Sequence, residues 1–240
     1  PLAFDAAGNM ALREVAQAIA KAHRRGRPVI VGMGAHVVKV GLGPLLVDLM
    51  ERGIVTALAM NGAVIIHDFE LAFMGHTSEE VDAEIDSGRF GMADETGRML
   101  NDAISLGMKD GQGLGEALGG YIARRKQQFP HRATSLLATG FRLGLPVTVH
   151  VAVGTDIIHM HPSADGAAIG AGSLLDLYQQ VAPDALLAGT RLAEVSGAKH
   201  AHPKYCFKMA TGTGKTWVLQ ALLIWQLLNK NAALAEGLDN

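Results

Sequence analysis

The sequence has 240 residues, of which 49% are hydrophobic and 18% are charged, so it can bury a core and is not a mostly disordered chain. A net charge of -2 argues against a protein whose main task is to coat nucleic acid, and a small-molecule partner is expected instead. The single cysteine, Cys206, excludes an internal disulfide, and the lack of a signal-peptide pattern or of an apolar run of about 18 residues predicts a cytoplasmic protein without a membrane span.

A surface helix and a strand–loop–helix unit are predicted first. One helical face carries Leu12, Val15, Ile19 and Ala22, which predicts a helix over residues 10–23. The apolar run PVIVGM predicts a strand over residues 28–33, and helical spacing resumes over residues 40–52 after a glycine loop.

A second unit of the same kind follows at once. The run IVTALAM predicts a buried strand over residues 54–60, Asn61-Gly62-Ala63 is expected to form a turn, and residues 65–73 are expected to be helical. Two successive units of this type predict a parallel sheet flanked by helices.

The middle of the chain is predicted to be mostly helical before a third strand. An N-terminal cap is expected at TSEE, residues 77–80, with helices over residues 92–106 and 114–128. The run PVTVHVAV predicts a strand over residues 146–153. A polar loop over residues 154–172 and an amphipathic helix through residues 174–181 are expected after it.

The three strand ends are expected to form one ligand site. The loops that follow them read GMGAHVVK, MNGA with HDFE shortly afterwards, and GTDIIHMHP. Ligands of open α/β sheets bind outside the carboxyl ends of the strands, so these loops are expected to meet in a single cleft.

Six strings resemble, in the same order, the bacterial deoxyhypusine-synthase-like proteins: GMGAHVVKVG, LMERGIVTALAMNGA, IIHDFE, TSEEV, FGMADETGRMLN and VGTDIIHMHP. The resemblance spans about residues 25–182 and implies a Rossmann-like parallel sheet flanked by helices, NAD as cofactor, and a homotetramer with sites between subunits. It also implies transfer of an aminobutyl group from spermidine through an enzyme lysine to a protein lysine, or related amine chemistry. The part of that family that holds the nucleophilic lysine has no counterpart after about Asp184, so complete turnover is in doubt.

The resemblance also implies roles for individual residues in the three loops. The residues expected to contact the cofactor are Gly34, Ala35, His36, Val37, Asn61, Gly62, Ala63, Thr155 and Asp156. The resemblance places Asp156 at the ribose or the amine. Residue chemistry adds His159, His67 and Asp68 as expected catalytic or amine-recognition residues, because imidazole titrates near neutral pH and carboxylates attract cationic amines. Glycine permits close approach of the backbone to a pyrophosphate, and a carboxylate can accept hydrogen bonds from ribose hydroxyls. The structural alternative is that the glycines only make tight turns and that Asp68 and Glu70 belong to a solvated helix face.

The histidines of the third loop raise the question of a metal site. His159 and His161 alternate near Asp156 and Asp165, and these residue types can bind transition metals. A His-x-His pair on an irregular loop is more often hydrogen-bonded structure, so no metal is predicted. Lys39 does not correspond to the family's nucleophilic lysine and is not expected to replace it.

A separate phosphate-binding signal lies near the carboxyl end. The string KYCFKMATGTGKTWVLQALLIWQLLN predicts a strand, a phosphate loop and a helix, and it resembles motif I of superfamily-two helicases, especially the helicase subunit of type III restriction enzymes. The residues expected to hold the phosphates of ATP and Mg²⁺ are Gly212, Thr213, Gly214, Lys215 and Thr216. Hydrolysis is not expected, because no acidic metal-binding motif follows. The alternative is a glycine-rich turn before an ordinary amphipathic helix.

The sequence therefore predicts a chimera. The expected parts are residues 1–185, a deoxyhypusine-synthase-like NAD-binding domain that is incomplete at its carboxyl end; residues 186–203, a junction; and residues 204–240, a helicase-like fragment. The leading functional hypothesis is a deoxyhypusine-synthase-like, NAD-dependent aminobutyl (polyamine) transferase that works as a homo-oligomer, and an incomplete or inactive form is left open. The alternative is an ATP-binding fragment of a DNA helicase, although nucleic acid is not expected as a partner of the fragment alone.

Overall fold

The computed structural model describes residues 6–77 and 93–180. Eight helices and three strands occur in these ranges, together with short 3₁₀ turns at Arg132–Thr134 and Ile157–Met160. In chain order they are α1 (Ala6–Arg24), β1 (Ile30–Met33), α2 (His36–Lys39), α3 (Gly43–Glu51), β2 (Ala57–Asn61), α4 (Gly62–Met74), α5 (Asp94–Lys109), α6 (Leu114–Arg124), α7 (Leu136–Leu143), β3 (Val147–His150) and α8 (Gly166–Gln180).

The fold is mixed α/β, with a small parallel sheet flanked by helices, as predicted. The strand order is β1-β2-β3, and both pairs are parallel. Ile30 lies opposite Ala57, Leu58 opposite Val147, and Asn61 opposite His150. The central strand β2 is buried from Ala57 to Met60, which explains its continuous apolar sequence.

Several predicted boundaries are wrong in detail. No separate turn follows β2, because Asn61 ends the strand and Gly62 already begins α4. The expected polar loop over residues 154–172 is shorter, since α8 begins at Gly166. The helices α2 and α7 were not predicted, and α6 ends at Arg124 rather than near residue 128.

The predicted surface helix is confirmed as α1, but only part of its apolar face is covered. Ile19 and Ala22 pack against the core, whereas Leu12 and Val15 are more than half exposed. His23 ties the end of α1 to the turn after α3, through a hydrogen bond between its Nδ1 and the Gly53 carbonyl oxygen at 3.2 Å.

The core lies around α4. Val64, Ile65 and Phe69 of this helix are completely buried, and the Phe69 ring meets the edge of the Phe129 ring at 5.2 Å between centroids. A helix that is apolar on nearly every side must be enclosed by other elements. Because α4 is enclosed and follows β2 directly, its first turn is held at the carboxyl end of the sheet.

Polar side chains of α8 close the outer edge of β3. Asp176 is completely buried and accepts hydrogen bonds from the backbone N–H groups of Val149 at 2.7 Å and Gly115 at 3.0 Å. The Ser173 hydroxyl donates to the Val149 carbonyl at 3.0 Å and accepts from the Val151 N–H at 3.2 Å. Backbone groups that a fourth strand would need are thus already bonded.

No helix in residues 6–77 and 93–180 is both long enough and apolar enough to cross a bilayer. The cap predicted at residues 77–80 falls outside the described residues from Ser78 onward, as do the domain boundary predicted at 185, the junction and the phosphate loop.

Candidate functional site

The loops after the three strands converge at the carboxyl edge of the sheet, as predicted. A Cβ atom placed on Gly62 would lie 1.9 Å from Asp156 Oδ2, so the carboxylate sits directly against the start of α4. A Cβ atom placed on Gly34 would lie 3.9 Å from Asn61 Nδ2. Gly34, Asn61, Gly62 and Asp156 therefore belong to one group, which we call the edge cluster.

Two members of the edge cluster stabilise the first turn of α4. The Asn61 side chain caps the helix, because its Oδ1 accepts a hydrogen bond from the Val64 N–H at 3.2 Å. Asp156 adds a negative charge beside the positive end of the helix dipole. Burial raises the pKa of Asp156 above its ordinary value, and the charge interaction with His159 opposes that rise in part.

The two glycines of the edge cluster differ in surroundings. At Gly62 the space of a side chain is already taken by Asp156, so this glycine is explained by a contact inside the protein. Gly34 is exposed, and a Cβ atom there would make only an ordinary van der Waals contact, with Asn61 Nδ2 at 3.9 Å. An incoming phosphate can approach the backbone at Gly34, whereas at Gly62 it would meet a carboxylate.

His159 closes the turn that carries Asp156. Its Nδ1 accepts hydrogen bonds from the backbone N–H groups of Gly154 and Asp156, both at 3.1 Å. In return, the Asp156 side chain accepts from the backbone N–H of His159, which completes a capping box on the 3₁₀ turn Ile157–Met160. Burial lowers the pKa of His159, and the nearby Asp156 opposes that shift.

One face of α5 holds the same loop in place. Asn101 donates from Nδ2 to the Ile158 carbonyl at 2.9 Å, and Asp94 Oδ1 lies 3.1 Å from His161 Nε2. Between them, Gly97 leaves room for the His161 ring, whose Cδ2 would be 2.8 Å from a Cβ at that position. Sequence reasoning missed these contacts. The spacing of Asp94, Gly97 and Asn101 by three and four residues was the available signal.

A further histidine that sequence reasoning missed lies at the end of β3. His150 is buried opposite Asn61, and its Nε2 lies 2.9 Å from the Thr148 hydroxyl. Burial lowers the pKa of His150 to about 4, so this ring is neutral near neutral pH.

The remaining predicted catalytic residues, Asp68 and His67, have hydrogen-bond partners outside the edge cluster. Asp68 is buried and accepts hydrogen bonds from the Ser135 hydroxyl at 2.6 Å and from the N–H groups of Leu136 at 2.8 Å and Leu137 at 3.2 Å, at the start of α7. His67 Nδ1 lies 3.0 Å from Glu70 Oε2 on α4 itself. The solvated-face alternative is wrong for Asp68 and Glu70, since both are buried.

The other predicted cofactor contacts lie in the first and third loops or beside Gly62. Ala35 precedes the short helix α2, which begins with the exposed His36 and the half-buried Val37. Ala63 follows Gly62 in the first turn of α4. Thr155 is exposed, and its hydroxyl donates to the Ala152 carbonyl at 2.7 Å. Within the described ranges, no three histidine, cysteine or acidic side chains come together as a metal site.

The phosphate-loop residues, Gly212 to Thr216, lie outside the described residues, so their evidence comes from comparison. A family model described as type III restriction enzyme, res subunit, matches residues 174–234. The match contains the whole predicted phosphate loop and begins inside α8, well before the boundary predicted at residue 204. It covers less than half of the chain, and it shows that this segment is similar to a helicase-like family.

No curated protein and no solved structure matches the chain. The helicase-like resemblance is thus supported by comparison, whereas the deoxyhypusine-synthase-like resemblance depends on the sequence motifs alone. Among the two functional hypotheses, the ATP-binding fragment has the better support from known proteins.

Proposed function

We propose that the segment at residues 204–240 is an ATP-binding fragment of the helicase type. The similarity of residues 174–234 to the res subunit of type III restriction enzymes carries this proposal, together with the string TGTGKT. Backbone N–H groups of Gly212 to Gly214 would surround the phosphates, Lys215 would contact the β- and γ-phosphates, and the Thr216 hydroxyl would bind Mg²⁺. The proposal concerns binding and does not include DNA translocation.

A second candidate function, favoured by the geometry of the sheet edge, is binding of a dinucleotide and an amine. The contact between Asp156 and Gly62 carries it, because it brings loops far apart in sequence together at the carboxyl ends of the strands, where ligands of such sheets bind. The exposed backbone at Gly34 suits a pyrophosphate beside residues 34–37. Asp156 suits a ribose hydroxyl pair or a cationic amine.

This second candidate is the deoxyhypusine-synthase-like interpretation, with NAD and a polyamine such as spermidine as ligands. NAD, when bound, would supply hydride acceptance from the carbon beside an amine nitrogen. The residues of this chain would bind and orient both molecules: the first loop the phosphates, Asp156 the ribose or the amine. Roles for His67 and Asp68 in proton transfer stay predictions, and the homotetramer implied by the resemblance is likewise a proposal.

A crossed pair of variants tests both candidates in one set of titrations. Lys215→Ala removes the proposed phosphate contact, and Asp156→Asn removes the charge from the sheet-edge cleft. We expect Lys215→Ala to weaken Mg-ATP binding by about tenfold or more and to leave NAD binding unchanged. Asp156→Asn should weaken NAD binding by a similar factor and leave Mg-ATP binding unchanged, as measured by isothermal titration calorimetry.

The matched controls are Lys208→Ala, outside the phosphate loop, and Asp48→Asn, an exposed carboxylate on α3. Both should bind ATP and NAD like the wild type. Normal ATP binding by Lys215→Ala would rule out the first candidate, and the absence of any NAD binding by the wild type would rule out the second.

A further inference from the structure

The geometry of the third loop fixes the protonation state of His159. A ring nitrogen that accepts an N–H hydrogen bond has no hydrogen of its own, and His159 Nδ1 accepts two, from Gly154 and Asp156. The proton of the neutral ring therefore lies on Nε2. Addition of a proton at Nδ1 would place the ring N–H opposite two backbone N–H groups, so three donors would meet with no acceptor and both hydrogen bonds would be lost.

Neither ring nitrogen of His159 is open to a ligand in this conformation. Nδ1 is occupied by the two backbone groups, and Nε2 is buried without a hydrogen-bond partner among the described residues. A side chain that exchanges protons with a substrate has to reach it directly or through one water. His159 is therefore poorly placed for the proton-transfer role that its sequence position suggested.

We propose that His159 is a positioning residue that holds Asp156 against Gly62, and that proton uptake at His159 opens this turn. The His159 ring accepts the Asp156 N–H, and the Asp156 side chain accepts the His159 backbone N–H. Loss of the ring as an acceptor would therefore loosen the turn that carries the carboxylate. The effect on the sheet-edge cleft rests on the second proposed function. The behaviour of the turn itself does not.

The charged groups around His159 set the direction of the pH dependence. Asp156 lies on the same turn and favours protonation of the ring, but the cost of burial is larger and lowers the pKa of His159. On α5, Asp94 bonds to His161, and at the end of β3 the buried His150 stays neutral. Because the folded state holds the neutral ring, the closed turn is stable above the unfolded pKa of histidine, about 6.5, and loses stability as the pH falls below it.

The test is an NMR titration of the full chain from about pH 8 to pH 5. For the wild type, the ring ¹⁵N signals at pH 8 should show the proton on Nε2, and the amide signals of Gly154 and Asp156 should shift together with the ring as it titrates. His159→Asn keeps an acceptor oxygen near the position of Nδ1, but the asparagine side chain takes up no proton between pH 8 and pH 5. It should retain the amide signals of the closed turn at every pH, whereas His159→Ala should lose them throughout.

The matched control is His76→Asn, an exposed histidine beyond the end of α4, which should leave the Gly154 and Asp156 titration unchanged. A proton on Nδ1 at pH 8, or Gly154 and Asp156 amides that do not respond while the His159 ring titrates, would overturn the inference.

NAD titrations separate this inference from the second proposed function. The wild type should bind NAD at least about threefold more weakly near pH 5.5 than near pH 8, whereas His159→Asn should change by less than about twofold. If the NMR result holds and no NAD binds at either pH, the dinucleotide proposal fails and the positioning role of His159 stands. If NAD binds with the same pH dependence in His159→Asn as in the wild type, His159 does not control the cleft.

Discussion

At the scale of single residues, the closest glycine contact in the edge cluster is that between Gly62 and Asp156. A methyl group at Gly62 would lie 1.9 Å from Asp156 Oδ2 and 3.1 Å from Val151 Cγ1, so the Asp156 side chain would have to move. Asp156 would have to leave the start of α4, and its capping box with His159 would be strained.

We therefore expect Gly62→Ala to lower the free energy of unfolding by about 2 kcal/mol, because an overpacked contact displaces a bonded carboxylate. Gly34→Ala is the matched control: its new methyl group would have only Asn61 Nδ2 near it, at 3.9 Å, and stability should change by less than about 0.5 kcal/mol. Urea unfolding followed by circular dichroism measures both. Equal stability of the two variants would contradict the close contact.

The sequence identified the residues of the edge cluster but not the reasons for them. Asn61, Gly62 and Asp156 could be named because glycine and polar residues follow apolar runs. That Gly62 accommodates Asp156, and that His159 bonds to backbone N–H groups, could not be predicted, because these contacts join loops whose relative position depends on the sheet. Asp176 gave no sequence signal beyond an acid within an apolar helix.

At the scale of secondary structure elements, α7 shows how a helix can depend on a distant residue. Its sequence, LLATGFRL, is short and contains a glycine, so local pattern gives it little support. Asp68 supplies three hydrogen bonds at its first turn, and Ser135 caps the Ala138 N–H at 3.0 Å. The long helices α1, α4 and α5 were predicted from local sequence, whereas α7 was not, because part of its capping comes from Asp68 on α4.

Asp68→Ala tests whether this carboxylate is mainly a structural cap. It would leave the Ser135 hydroxyl and the Leu136 and Leu137 N–H groups buried without their acceptor, so the free energy of unfolding should fall by about 3 kcal/mol. Asp48→Ala, which removes an exposed carboxylate paired with Arg52, should cost about 0.5 kcal/mol or less in the same denaturation series. If Asp68→Ala were as stable as the wild type, Asp68 would not be mainly a structural cap, and the predicted catalytic role would be favoured instead.

At the scale of the whole molecule, the buried Asp176 couples stability to pH. Burial raises the pKa of Asp176 to about 7, although the Val149 and Gly115 N–H groups act in the opposite direction. In the unfolded chain this carboxyl has an ordinary pKa, so between pH 4 and 7 the folded state binds more protons. Stability attributed to Asp176 is therefore greatest at low pH and decreases as the pH rises through about 7.

We expect ionisation of Asp176 to lower the free energy of unfolding by about 2 kcal/mol as the pH rises from 5 to 8. Asp176→Asn cannot ionise, so the difference between wild type and variant should change with pH by that amount. Parallel guanidinium titrations at the two pH values measure it, and Asp165→Asn, an acid at the exposed start of α8, should show no comparable change. A constant difference between wild type and Asp176→Asn would show that the carboxyl keeps an ordinary pKa.

The bonded edge of β3 also limits how copies of this protein can associate through their sheets. Continuous stacking of sheets needs two unpaired edge strands in every copy, because each copy must pair with one neighbour on either edge. Here Ser173 and Asp176 block one side, and among the described strands only β1 has an unpaired flank. Among these strands, association can therefore join two copies edge to edge at β1 but cannot continue past the bonded flank of β3.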